Sequence, residues 1–141
     1  MQLKVKKLYE DSKLPVKGHP GDAGMDFFTR EKVVLAPGEQ KRILTGVAVE
    51  IPEGYVGLIW DKSSISFNQG LTNLGGVIDS SYRGEIMVSL LNTSNKEQVI
   101  EKDHKVAQMV VQKFLDCEIV EVDSLSETIR GEGREGSTGK K

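Results

Sequence analysis

Short apolar segments with a period of two, broken by turn residues about every 8–12 positions, constrain this fold more than any other feature. Gly46-Val47-Ala48-Val49-Glu50-Ile51 and Tyr55-Val56-Gly57-Leu58-Ile59-Trp60 are rich in β-branched and aromatic residues and are joined by the turn sequence Pro52-Glu53-Gly54. Val33-Val34-Leu35 and Gln40-Lys41-Arg42-Ile43-Leu44 flank a second turn, Ala36-Pro37-Gly38-Glu39. From Glu85 to Leu91, Glu85, Met87 and Ser89 alternate with Ile86, Val88 and Leu90, which predicts one polar face and one core face. Val106–Phe114 and Glu118–Val122 complete the set of expected strands. The pattern predicts an all-β sandwich or barrel. One short helix is expected over Ser63–Gln69, capped by its opening hydroxyls and stopped by Gly70 in the left-handed conformation.

The 141 residues suit one domain with a real core. Lys and Arg number 19 against 21 Asp and Glu, a net charge of −2, which gives no electrostatic case for nucleic acid or an anionic membrane as partner. A single cysteine, Cys117, permits no internal disulfide. The first seven residues alternate charge with apolar side chains, unlike a signal peptide, and no run approaches the ~20 apolar residues of a membrane span. A cytoplasmic, or more broadly intracellular, protein is expected. With two histidines (His19, His104) and one cysteine, a four-ligand zinc site cannot be built within one chain. Chemistry falls to carboxylates, hydroxyls, amides, Lys and Arg, or a borrowed metal ion. From Arg130 onward the chain carries four of its 15 glycines and no apolar side chain, so residues 1–129 are expected to form the β domain and 130–141 a mobile Gly-rich tail.

Four polar clusters interrupt the strands. Asp22-Ala23-Gly24-Met25-Asp26 places two carboxylates around a glycine, suited either to a polar turn or to water and a hard cation such as Mg²⁺. Trp60-Asp61-Lys62-Ser63-Ser64 sets a cation and two hydroxyls at a helix start, either an ordinary cap or a phosphate grip. Asn73-Leu74-Gly75-Gly76-Val77-Ile78-Asp79-Ser80-Ser81-Tyr82-Arg83-Gly84-Glu85 is the most informative. Its glycine pair permits close backbone approach, Asn73 offers a donor and an acceptor to a base edge, and Asp79 lies between apolar residues and an aromatic, where partial burial would poise it as a base. Last, Gln108 falls in the apolar run Val106-Ala107-Gln108-Met109 and requires a hydrogen-bonding partner.

In this order and spacing, the clusters resemble the five motifs of the trimeric dUTP pyrophosphatases (dUTPases), from about residue 18 to 139. Asp22–Asp26 resembles the first, Lys62-Ser63-Ser64 the second, Asn73 through Glu85 the third and Val106–Met109 the fourth. Arg130-Gly131 with Gly136-Ser137-Thr138-Gly139 resembles the fifth. The resemblance implies a jelly-roll-like fold, Mg²⁺-dependent hydrolysis of dUTP to dUMP and pyrophosphate, and a homotrimer whose three sites each draw on different chains. It implies that Asp79 orients the attacking water and contacts the sugar 3′-hydroxyl, and that Tyr82 packs on the deoxyribose and excludes a ribose. Asn73 and backbone groups of the hairpin, including Gly76, Val77, Ile78 and Met87, would read uracil. Lys62, Ser63, Ser64 and Gln108 would hold phosphates and water, and Asp26 the water shell of Mg²⁺. Arg130, Glu135, Gly136, Ser137 and Thr138 belong to a lid over the γ-phosphate.

The chain departs from that pattern at four positions. Lysines stand at Lys62 and Lys105 where the family usually has arginine, keeping the charge without the bidentate fork. Glu135 replaces the aromatic that covers uracil, and Arg134 a glycine. Weaker substrate binding or looser lid closure is the expectation. Two other readings are a related dCTP deaminase and a non-catalytic nucleotide-binding or regulatory protein. The deaminases carry a catalytic Glu ten residues after the hairpin Asp, where this chain has Ser89. Asp26, Asp79, Gln108 and Arg130 argue for turnover.

Overall fold

The computed structural model describes residues 2–134. Ten strands and one helix follow one another as β1 (Lys4–Lys7), β2 (Met25–Phe28), β3 (Val33–Leu35), β4 (Gln40–Glu50), β5 (Tyr55–Trp60), α1 (Ser63–Gln69), β6 (Leu71–Asn73), β7 (Val77–Ile78), β8 (Glu85–Asn92), β9 (Gln98–Ile100) and β10 (Lys105–Lys113). One four-stranded sheet runs β1-β4-β8-β6, a second runs β2-β10-β5-β7, and β3 with β9 forms a ribbon. Every pairing is antiparallel and no sheet closes on itself, so the all-β expectation holds in the form of open packed sheets.

The core draws on both sheets and the ribbon. Phe27, Leu35, Ile43, Val47, Leu71, Ile86, Val88, Leu90, Ile100, Val106 and Met109 are all essentially inaccessible. On β8 the expected alternation is realised: Ile86, Val88 and Leu90 are buried, whereas Glu85, Met87 and Ser89 reach the other face. The segments Gln40–Leu44 and Gly46–Ile51, read as separate strands, merge into β4. Gly46, at φ +71°, makes the join, and the register against β8 slips between Leu44 and Ala48. A glycine bulge of this kind bends a strand without ending it.

Helix α1 spans the expected residues and stops at Gly70 (φ +66°), as the sequence predicts. Its start differs. Lys62 is the N-cap and no side chain caps the helix, so Ser63 and Ser64 lie inside the first turn with their hydroxyls exposed. The expected strand Glu118–Val122 does not form. Both sheets end in open edges, at β1 and β6 and at β2 and β7, but among the described residues the segment pairs with none of them, and apolar residues cannot hold an extended segment without a ladder to join. That segment instead lies open: Leu115, Ile119, Val120, Leu125 and Ile129 are each at least 66% exposed. Among the described residues no helix is long and apolar enough to cross a membrane.

Candidate active site

The second sheet brings the first, second and fourth clusters together. Gln108 on β10 lies opposite Asp26 on β2 and opposite Trp60 on β5, so three chemical segments sit side by side on adjacent strands. Asp26 is only 7% exposed and holds two cations: Lys62 Nζ donates to Oδ1 at 2.9 Å, and Lys105 Nζ lies 2.8 Å from Oδ2. Burial pushes this carboxyl up, but hydrogen bonds and charge from Lys105 and Lys62 together outweigh burial and hold it below its ordinary 3.8. Asp22 does not join it. Its Oδ2 accepts the His19 amide at 2.8 Å and closes an exposed turn.

This geometry bears on any metal. A cation ligated directly by Asp26 would sit beside two ammonium groups and be repelled. A Mg²⁺ carried on phosphates and reached through water would fit the same residues, because Asp26 would then face its water shell and not ligate the ion directly. Among the described residues no group of three His, Cys, Asp or Glu side chains gathers into a chelating cluster.

The Asp26 pairs also set an acid limit on stability. The carboxyl titrates lower folded than unfolded, so its contribution is complete above about pH 5 and fades as pH falls through 3.8 and below. The stability gap between the native protein and Asp26→Asn, followed by urea midpoints from pH 6 to 3, is expected to be constant above about pH 5 and to close below it. A gap independent of pH would show that the carboxylate charge is not what the lysines stabilise.

Gln108 finds its partner: Nε2 donates to the Asp61 carbonyl at 2.9 Å. Asn73 donates its side-chain amide to the carbonyls of Gly75 (2.8 Å) and Ile59 (3.3 Å), so its donor shapes the hairpin and only Oδ1 remains for a ligand. Gly75 and Gly76 hold φ of +83° and +118°. A Cβ on Gly76 would lie 2.8 Å from the Ile59 carbonyl oxygen, so backbone here passes directly over backbone. A cavity of about 580 Å³ opens beside this crossing, lined by Trp60, Asp61, Asn73, Gly76, Val77 and Gln108 among others.

The outer hairpin is braced by its own residues. Tyr82 lays its ring over Gly84 and donates its hydroxyl to the Glu85 carbonyl at 2.9 Å, while Arg83 donates to the carbonyls of Ser80 and Tyr82. Asp79 does not show the expected partial burial. It is exposed because Val77 beside it is itself 69% exposed, and only its carbonyl is engaged, by the Tyr82 amide. Ile78 is half-buried under β5 and Met87 is 38% exposed on β8. Arg130 joins none of these groups and donates to Gly133 at 3.1 Å. Glu135, Gly136, Ser137 and Thr138 lie outside the described residues. Ser89, at the deaminase carboxylate position, accepts a hydrogen bond from Gln40.

Sequence reasoning assigned no role to Asp61 or Trp60, although both line the cavity. The usable signal was a carboxylate directly ahead of a helix start, but its partners come from β6 and β10, which local spacing does not reveal.

The dUTPase family model matches residues 10–139. The deoxyuridine 5′-triphosphate nucleotidohydrolase of Clostridium tetani is 45% identical over 140 residues, covering 98% of this chain and 97% of the relative. That of Hydrogenobaculum sp. is 46% identical, with each chain fully covered. Among solved structures, a mutant dUTPase of Staphylococcus bacteriophage 80alpha with dUpNHpp superposes with a TM-score of 0.91 at 32% identity, covering 98% of both chains. A mutant dUTPase from phage phi11 of S. aureus, described as coordinating a structural Mg(II) ion, is 30% identical over 90% of this chain and 100% of its own, with a TM-score of 0.83. With its motifs in order and matched nearly end to end, the chain belongs to the dUTPase family.

Proposed function

We propose that three copies of this chain assemble into a dUTP diphosphatase whose sites are shared between subunits. The chain is a deoxyuridine triphosphate nucleotidohydrolase of the dUTPase family: water attacks the α-phosphorus, and dUMP and pyrophosphate leave. Asp79 orients the water and accepts its proton, and Tyr82 packs on the deoxyribose. The Asn73 oxygen and the hairpin backbone from Gly76 to Ile78, with Met87, read the base. Gln108, Lys62, Ser63 and Ser64 hold phosphate oxygens, so charge developing in the transition state meets cations and oriented amides already in place. Mg²⁺ bound mainly by the substrate phosphates would supply charge neutralisation, and Asp26 would hold its water shell. Arg130 and the tail through Thr138 close over the γ-phosphate and exclude bulk water.

One observation carries the shared-site reading. The segment beyond β10 exposes Leu115, Ile119, Leu125 and Ile129, which no other described part of the chain covers, and it leads to Arg130, which among the described residues joins no other site residue. Such an arm fits a second copy of the chain. The test is complementation between Asp79→Asn and Arg130→Ala, each inactive alone, refolded together in equal amounts. Recovery of about a quarter of native pyrophosphate release is expected if each site takes its hairpin and its arm from different chains. Activity no higher than the sum of the two separate variants would overturn the shared site.

A further inference from the structure

We propose that Asp61 is a positioning residue that sets base discrimination by fixing the strand that carries Asn73. The proposal rests on the assignment of Asn73 to the base and Gln108 to the phosphates. Asp61 lies between the end of β5 and the N-cap of α1, where three segments of the site converge. Its Oδ1 accepts the Asn73 backbone amide at 2.5 Å and its Oδ2 the Thr72 hydroxyl at 2.8 Å. Its carbonyl receives the Gln108 side chain at 2.9 Å, and the next residue, Lys62, pairs with Asp26.

The need for this carboxylate follows from the edge position of β6. That strand pairs only with β8. The Leu74 amide donates across to Ser89, so the Asn73 amide, one residue earlier, points to the free edge of the sheet. No strand receives it there; the Asp61 carboxylate does. Hydrogen bonds to an ionised acceptor are roughly twice as strong as neutral ones, so Asn73 is held harder than a typical edge residue. The Gln108 contact uses the backbone instead. Removing the Asp61 side chain therefore loosens the base side of the site and leaves the phosphate side in place.

The test compares steady-state hydrolysis of dUTP and dCTP by native protein, Asp61→Ala, Asp61→Asn, Thr72→Val and Asn73→Ala, with melting temperatures to confirm folding. Asp61→Ala is expected to raise KM for dUTP about 10-fold or more and to reduce the dUTP-over-dCTP ratio of kcat/KM by a similar factor, with kcat changed less than about 3-fold. Asp61→Asn is expected to recover most of both, because its amide oxygen accepts the Asn73 amide and its NH₂ donates to the Thr72 hydroxyl. Thr72→Val, which removes the weaker contact, shifts the ratio in the same direction by less and does not depend on Asp61→Ala folding. If Asn73→Ala collapses discrimination while Asp61→Ala and Thr72→Val leave it intact, the positioning role is wrong and the assignment of Asn73 stands. If Asn73→Ala retains discrimination, that assignment fails and takes the proposal with it. Equal losses from Asp61→Ala and Asp61→Asn would also overturn it, since the hydrogen-bond geometry would then not be what matters.

Discussion

Replacing Asp79 by Asn is expected to lower kcat/KM for dUTP by about 10³-fold, within the 10²–10⁴ range of a positioned general base, and to leave the melting temperature unchanged within a degree or so. The two halves of this expectation have separate causes. Asp79 is exposed, its side chain makes no hydrogen bond in the described structure, and the turn it sits in is closed by backbone atoms and by Arg83. Folding therefore does not depend on the carboxylate. Asn keeps the size and one acceptor, so contact with a sugar hydroxyl survives and the loss falls on proton acceptance. It should appear in kcat, with KM nearly unchanged. A loss below about tenfold would place the base elsewhere.

The second large effect is on stability. Phe27→Ala is expected to cost about 3–5 kcal/mol, the usual range for removing a fully buried phenylalanine. Phe27 is 1% exposed in the core that both sheets share. For a domain of this length such a loss lowers the melting temperature by roughly 10–15 °C. Activity should fall with it, because Phe27 on β2 lies opposite Ala107 while its neighbour Asp26 lies opposite Gln108. A cavity at Phe27 therefore reaches the strand that aligns two site residues. A melting temperature lowered by less than about 4 °C would mean the surroundings collapse to fill the space.

Much of the fold is legible in the sequence because it depends on local alternation. The faces of β8, the boundaries of β5 and the end of α1 at Gly70 all follow from residue types over a few positions. The short strands do not. Lys4–Lys7 and Val77–Ile78 are too short for alternation alone to specify a strand and are strands because β4 and β5 pair with them. The opposite failure is Glu118–Val122, whose β-branched residues favour a strand but which pairs with no strand among the described residues. Two expected segments fused into β4 because Gly46 turns what reads as a break into a bulge.

The candidate site divides in the same way. Residue types and their order identify Asp26, Lys62, Asn73, Asp79, Tyr82 and Gln108 as chemistry-bearing. How they are engaged is a tertiary matter. Asp26 holds Lys62 and Lys105 from 36 and 79 positions away, two ion pairs that local spacing does not reveal. Asn73 directs its donor inward, and Asp61 is visible only once β6 and β10 are placed around it.

The crossing at Gly76 has a consequence for how the protein tolerates change. The hairpin and β5 are kept in register by a space too small for any side chain, and a Cβ there would also meet Asn73 Nδ2 at 3.0 Å. Every other amino acid adds that same carbon, whatever its charge or polarity, so no substitution is conservative at this position. Random drift can exchange neighbouring surface residues one step at a time, but here it has no first step.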